Sequence, residues 1–320
     1  MTQGLTAPSV AVMPDLVAAI GNTPLVELSK ISPNPQVRIL AKLESHNPTG
    51  SIKDRTAKSM IEDAERRGLI RPGDTIMEPT SGNTGISMAM ICRIKGYHLI
   101  AVMPENVTEE RRQLLRVYGA EIVESPGELG SNGSVAKANG LAAENGLFMP
   151  YQYGNPANPR AHYEGTAEEI VRDCPEVDTF VAGLGTGGTL MGCARRLREH
   201  RSDIQIVACE PLQGDPVSGL RSLDDGFVPP ILDITKLDRK LLVSNHDSLV
   251  MTRRLASEEG IFAGVSSGGV IHTCVRMANA MERGTVVGII CDSGWKYLSA
   301  GLFTDDLDAV EDRLDRGIFW

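Results

Sequence analysis

Apolar residues along this chain gather into short unbroken runs that alternate with longer helix-like segments. The runs TFVAGL, IQIVACE and VVGIICD carry almost no polar interruption. Strands buried on both faces read this way, and such strands belong to parallel sheets covered by helices. The pattern predicts strands over 74–78, 98–103, 120–124, 178–183, 204–210 and 286–291. Helices are predicted over 84–95, 108–118, around 134–145, and over 189–200, 247–259 and 269–283. Strands and helices taken in turn give an open α/β architecture. One piece differs: 24–28 and 37–44 are joined only by the turn-like SKISPNPQ and predict an antiparallel pair. The segment 213–238, rich in Gly, Pro and Asp, predicts a long irregular loop, and such loops tend to be functional or mobile. A final helix-like stretch covers 304–315.

Composition narrows the classes. The 320 residues suggest about two domains. A hydrophobic share of 42% and a charged share of 23% are those of a globular protein. The net charge of −9 argues against nucleic acid as the main partner, because such binders carry basic patches. No apolar run approaches the roughly 18 residues of a membrane span. The opening MTQGLTAPSV lacks a basic region followed by a long apolar stretch, so no secretory signal is expected. Six scattered cysteines without a CxxC pair read as buried thiols of a reducing compartment, and the expected location is the cytoplasm. The histidines show no metal-ligand spacing, and no metal is expected.

Four local motifs carry candidate chemistry. In Asn47-Pro48-Thr49-Gly50-Ser51-Ile52-Lys53, a turn leads into a helix that Thr49 or Ser51 can cap, with Lys53 at its start. The positive helix end and burial both favour the neutral amine that covalent lysine chemistry needs. A surface lysine on a first turn satisfies the same pattern. The strand-to-helix turn Glu78-Pro79-Thr80-Ser81-Gly82-Asn83-Thr84-Gly85 offers backbone N–H groups and hydroxyls to an anion. It lacks a Walker-type lysine, so a carboxylate fits better than a nucleotide phosphate. Gly183-Leu184-Gly185-Thr186-Gly187-Gly188-Thr189 is a second such turn, built for close approach of a phosphate. With Glu210 ending the next strand, a dinucleotide reading stays open for this loop alone. The fourth motif, Ala263-Gly264-Val265-Ser266-Ser267-Gly268-Gly269, reads by itself as a helix cap and a close-packed helix start.

In this order, the four motifs resemble fold-type II pyridoxal-phosphate enzymes, and among them the cysteine synthases. IGNTPLV, YQYGNPANP and GIFAGVSSGG lie in the family's order as well, and the resemblance runs from about residue 16 to 299. YQYGNPAN, GLRSLDDGFVP and DSGWKYLS are similar to the type B and phosphoserine-using branch. The resemblance implies two open three-layer α/β domains with mostly parallel sheets. A smaller mobile domain would span 46–155, and a larger one 1–45 plus 156–320. It implies a β-replacement that makes L-cysteine from an activated serine, O-phosphoserine rather than O-acetylserine, and a sulfur donor. That donor is free sulfide or the thiocarboxylate of a small ubiquitin-like carrier protein. Serine or threonine dehydratase and cystathionine β-synthase chemistry are the alternatives within the fold. A nicotinamide-dependent dehydrogenase is the alternative outside it.

By the same resemblance, Lys53 would carry pyridoxal 5′-phosphate and act as the base. Asn83 would bond the ring oxygen and Ser266 would face the ring nitrogen. Gly185, Thr186, Gly187, Gly188 and Thr189 would hold the phosphate. Thr80, Ser81, Thr84 and Gln152 would hold the substrate carboxylate, and Arg221 would meet the substrate phosphate. A cytoplasmic homodimer is implied. The chain ends Ile318-Phe319-Trp320. This apolar tail is expected either to pack on its own domain or at a dimer interface, or to cover the cleft with its carboxylate in the Thr80 cradle.

Overall fold

The computed structural model describes residues 12–80 and 82–316. Ser81 and the terminal Ile318-Phe319-Trp320 lie outside the described residues. Nine strands appear among the described residues: β1 (Leu25–Glu27), β2 (Val37–Leu43), β3 (Thr75–Pro79), β4 (His98–Pro104), β5 (Glu121–Ser125), β6 (Thr179–Gly183), β7 (Gln205–Pro211), β8 (Arg239–Val243) and β9 (Gly284–Ile290). They form a six-stranded sheet in the order β1-β2-β9-β6-β7-β8 and a three-stranded sheet in the order β3-β4-β5. Every pairing is parallel except β1 with β2, the antiparallel pair that the short SKISPNPQ connection predicts.

The uninterrupted apolar runs have the cause inferred from them. Along β6 and β7, Phe180, Ala182, Ile206 and Ala208 join one core cluster, while Val181, Val207 and Cys209 join another on the opposite face. Helix α7 (Gly188–His200) covers the first face with Leu190, Cys193 and Leu197. Helices α8 (Asn245–Glu259) and α9 (Val265–Ala280) cover the second. Around the small sheet, α1 (Lys53–Arg66), α2 (Asn83–Lys95) and α3 (Glu109–Val117) share one core, and α4 (Gly130–Asn145) closes the other face.

Two stretches have more structure than their sequence suggests. β8 opens with Arg-Lys and is largely exposed, because it is an edge strand. Between the sheets, α5 (Ala157–Ala161), a π-helical turn over His162–Ala167 and α6 (Glu168–Asp173) form one continuous helical segment. The irregular loop 213–238 holds only two short turns, Leu223–Asp225 and Ile234–Lys236. No helix among the described residues is long and apolar enough to cross a membrane. Helix α10 (Leu307–Arg316) closes the described chain.

Candidate active site

The loop before α1 turns at Gly50, whose φ of +75° suits glycine. It is stitched to the chain leaving β9: Ile52 N donates to Cys291 O at 2.9 Å, and Ser293 N donates to Gly50 O at 3.1 Å. Neither predicted residue caps α1, whose N-cap is Ile52 without a side-chain bond. Ser51 Oγ accepts from Lys53 N, whereas Thr49 bonds the Asp54 carboxylate. Asp54 is buried, and Ser87 of α2 also donates to it, so the loop is tied to α2. The Lys53 amine is thereby held in a pocket with Cys291, Asp292 and Asn83. Burial lowers its pKa below the usual lysine value, with Cys291 and Asp292 opposing.

The anion cradle follows β3. Thr80 Oγ1 accepts from Gly85 N at 2.9 Å, and Thr84 Oγ1 donates to Gln152 Oε1 at 2.7 Å. A Cβ on Gly85 would lie 2.4 Å from Thr80 Cγ2, so this turn needs glycine there. Gln152 is set by a buried carboxyl: Glu78 accepts Tyr151 N at 2.8 Å and Gln152 N at 3.0 Å. Burial pushes the Glu78 pKa up to about 7.

The second glycine loop links β6 to α7. Gly185, Thr186, Gly187 and Thr189 line the same pocket. Gly188 sits behind it, where a Cβ would lie 2.0 Å from Asn158 Oδ1. Ser266, in the first turn of α9, also lines the pocket, with Gly219 (φ +89°) packed against it. Arg221 enters from the irregular loop. Its guanidinium lies 4.9 Å from the Phe227 ring centroid and 5.5 Å from that of Tyr153. Arg221 has no ion-pair partner among the described residues; its polar neighbour is the Tyr153 hydroxyl.

Every described site candidate except Gly188 therefore reaches one pocket. Several residues of that pocket escaped the sequence reading. Asp292 is buried; its Oδ2 accepts from Asn83 Nδ2 at 2.8 Å and from Tyr297 Oη at 3.1 Å. Its Oδ1 has no partner among the described residues. Lys296, fully buried, donates to Asn83 Oδ1, and burial lowers its pKa to about 8. Arg111 of α3 lies 5.6 Å from the Tyr297 ring and lines the pocket too. Glu210, the residue that kept a dinucleotide reading open, is buried elsewhere. It pairs with Lys240 at 2.6 Å and accepts Leu223 N at 2.7 Å, and it does not line the pocket.

Residues 16–292 match the family described as pyridoxal-phosphate dependent enzyme. The chain belongs to that family. Its cofactor is pyridoxal phosphate. The cysteine synthase of Staphylococcus aureus strain Mu50 is 43% identical over 302 residues, covering 91% of this chain and 97% of that one. The crystal structure of O-ureido-L-serine synthase superposes with a TM-score of 0.87 at 40% identity, covering 93% of this chain and 99% of that one. That of the cysteine synthase from Entamoeba histolytica gives 0.88 at 32% identity, covering 98% and 99%. The pocket fits the cofactor. It presents an amine of lowered pKa, a glycine loop with two threonine hydroxyls for an anion, and the Asn83 amide and Ser266 hydroxyl as groups that can meet a polar ring. Among the described residues no cluster could hold a metal ion.

Proposed function

We propose that this enzyme makes L-cysteine by β-replacement on O-phosphoserine, with Lys53 as the residue that carries the cofactor and moves the proton. The observation that carries the choice of substrate is Arg221. It is a half-buried guanidinium packed against two aromatic rings, lining the pocket, without a carboxylate to neutralise it. Guanidinium forks match phosphate oxygens two at a time, and aromatic faces hold the planar group in place. An acetyl group would leave that charge unanswered.

The cofactor, when bound, supplies an electron sink that makes the substrate α-proton acidic. The chain's own residues do the rest. Thr80, Thr84 and Gln152, with Ser81, hold the substrate carboxylate, and Glu78 fixes the Gln152 backbone. Lys53, whose lowered pKa favours the neutral amine, takes the α-proton and later returns it. Asn83 cannot flip, because Lys296 has only donors to offer its Oδ1. One Nδ2 proton goes to Asp292, and the other is left for the cofactor ring oxygen. Ser266 presents a hydroxyl rather than a carboxylate to the ring nitrogen. That favours prompt loss of the β-substituent over a long-lived carbanion. Gly185, Thr186, Gly187 and Thr189 hold the cofactor phosphate; Gly188 leaves room for Asn158 behind the loop. We assign 46–155 to a smaller mobile unit and the remainder to a larger one, with the pocket between the two sheets. The sulfur donor is sulfide or a carrier thiocarboxylate, and the second would need loop 213–238 to open.

The test compares Arg221→Ala with wild type on two substrates. The variant is expected to lose roughly 1.5–3 kcal/mol of kcat/KM for O-phosphoserine, the range for hydrogen bonds to a charged group. O-acetylserine turnover should change little. Equal losses on both substrates would refute the assignment.

A further inference from the structure

His162 lies in the helical segment that joins α5 to α6, against Thr189 of the glycine loop between β6 and α7. It is 1% exposed. Burial, with Lys53 and Arg55 nearby, lowers its pKa well below the usual value, so the ring is neutral. A neutral imidazole has one donor and one acceptor. Nδ1 faces Thr166 Oγ1 at 3.0 Å. Nε2 faces Thr56 Oγ1 at 3.2 Å and Thr189 Oγ1 at 3.4 Å. Thr56 is three residues past Lys53, and Thr189 belongs to the glycine loop.

The direction of these bonds follows from one backbone carbonyl. Asn158 Nδ2 lies 2.9 Å from Gln152 O, which can only accept, so the amide orientation is fixed. The same Nδ2 then donates to Thr186 Oγ1 at 3.0 Å, and Asn158 Oδ1 accepts from Thr56 Oγ1 at 3.3 Å. Having given its proton to Asn158, the Thr56 hydroxyl can only accept from His162. The proton of His162 is therefore on Nε2. This tautomer also satisfies Thr166, which is fully buried and donates to Nδ1. The opposite tautomer would leave the Thr166 proton buried without an acceptor, which costs free energy.

The consequence reaches the pocket. Nε2–H is shared between Thr56 at 3.2 Å and, at 3.4 Å, Thr189 Oγ1; a protonated Nε2 cannot accept, so the Thr189 proton cannot turn to it and is free to point outward. Thr186 Oγ1 already accepts from Asn158 and, at 3.3 Å, from Gly188 N, so its proton is free as well. Both threonines line the pocket. We propose that His162 is a positioning residue that turns the Thr189 hydroxyl proton toward the cofactor phosphate, within a hydrogen-bond network in which Asn158, oriented by Gln152 O, does the same for Thr186. The π-helical turn at His162–Ala167 serves this arrangement, since such turns are rare and concentrate at functional sites. Gly192 of α7 allows it, because a Cβ there would lie 2.8 Å from His162 Cβ and 2.1 Å from Pro159 O.

The inference rests on the reading that this loop holds the cofactor phosphate, and the experiment separates the two. Full-length apoprotein is titrated with pyridoxal phosphate and with pyridoxal, which lacks the phosphate, following the visible absorbance of the lysine-bound form. Thr189→Val should weaken only the phosphorylated compound; equal affinity losses would overturn the loop reading itself. His162→Leu should weaken pyridoxal phosphate about tenfold and leave pyridoxal unchanged. His162→Gln, whose amide N–H can replace Nε2–H, should recover most of that loss. The double variant His162→Leu/Thr189→Val should bind no more weakly than Thr189→Val alone. Equal losses for both compounds in His162→Leu, or additive losses in the double variant, would overturn the positioning role while the loop reading stands. Should His162→Leu not fold, the wild-type protein still decides. Nitrogen-15 shifts of the buried imidazole must report the neutral Nε2–H tautomer, and an Nδ1–H or charged ring refutes the proposal.

Discussion

Replacing Glu78 by Gln tests the chain of support behind the substrate cradle. Glu78 is fully buried at the end of β3, and its two oxygens accept Tyr151 N and Gln152 N. Gln keeps one acceptor and turns an N–H₂ toward the other backbone donor. One buried N–H then loses its partner, at about 1–3 kcal/mol. This cost does not depend on pH. The wild-type cost does. With the folded pKa raised to about 7, the unfolded chain loses its Glu78 proton first as pH rises. Wild-type stability from this group is thus complete below the unfolded value near 4.5 and is lost as pH rises through about 7. Two and a half pKa units amount to roughly 3 kcal/mol. Every other titrating group cancels in the difference between variant and wild type. Urea unfolding at pH 5 should therefore show Glu78→Gln less stable by about 1–3 kcal/mol. At pH 8 the gap should close or reverse. The KM for the amino-acid substrate should rise in the variant as Gln152 shifts, with the lysine-bound cofactor absorbance kept. A stability gap that stays constant between pH 5 and pH 8 would refute the argument.

Lys53→Ala should abolish cysteine synthesis and the absorbance of the lysine-linked cofactor. The base contribution alone is roughly 10²–10⁴-fold, and covalent attachment is lost with it; turnover near the wild-type rate would rule out the mechanism. Hydrogen exchange in 213–238 should slow when O-phosphoserine is added without a sulfur donor, because Gly219, Leu220 and Arg221 of that loop line the pocket. Unchanged exchange would exclude this loop as a gate.

The fold was legible because burial on both faces leaves a mark in one dimension. The runs through β6, β7 and β9 have no polar alternation, and the short SKISPNPQ connection leaves no room for a crossover helix. What was not legible lay where composition and burial part company. The edge strand β8 is exposed and charged, so it carries no apolar run. The segment from α5 to α6 contains NPANPRAHYEG, whose prolines and glycine suggest a loop. There Pro156 precedes the first turn, where a missing N–H costs nothing, and the π-helical turn follows it.

The site divides in the same way. Pocket-lining residues of the strand-to-helix turns, such as Thr80, Asn83, Thr84 and Thr186, stand in glycine-rich strings that no core needs, so they announce themselves. Residues that act from behind do not. Asp292 and Lys296 sit in DSGWKYLS, a string that stands out in the sequence without any role for either side chain. His162 and Asn158 look like polar residues of a loop. Their importance comes from donor and acceptor counting in a buried network, and that counting starts only when Gln152 O is known to face Asn158 Nδ2. A sequence lists which groups can donate and accept, but the direction of a hydrogen-bond chain is a property of contacts between residues far apart in the chain. Here 106 positions separate Thr56 from His162, and one carbonyl oxygen sets the direction for both glycine-loop threonines.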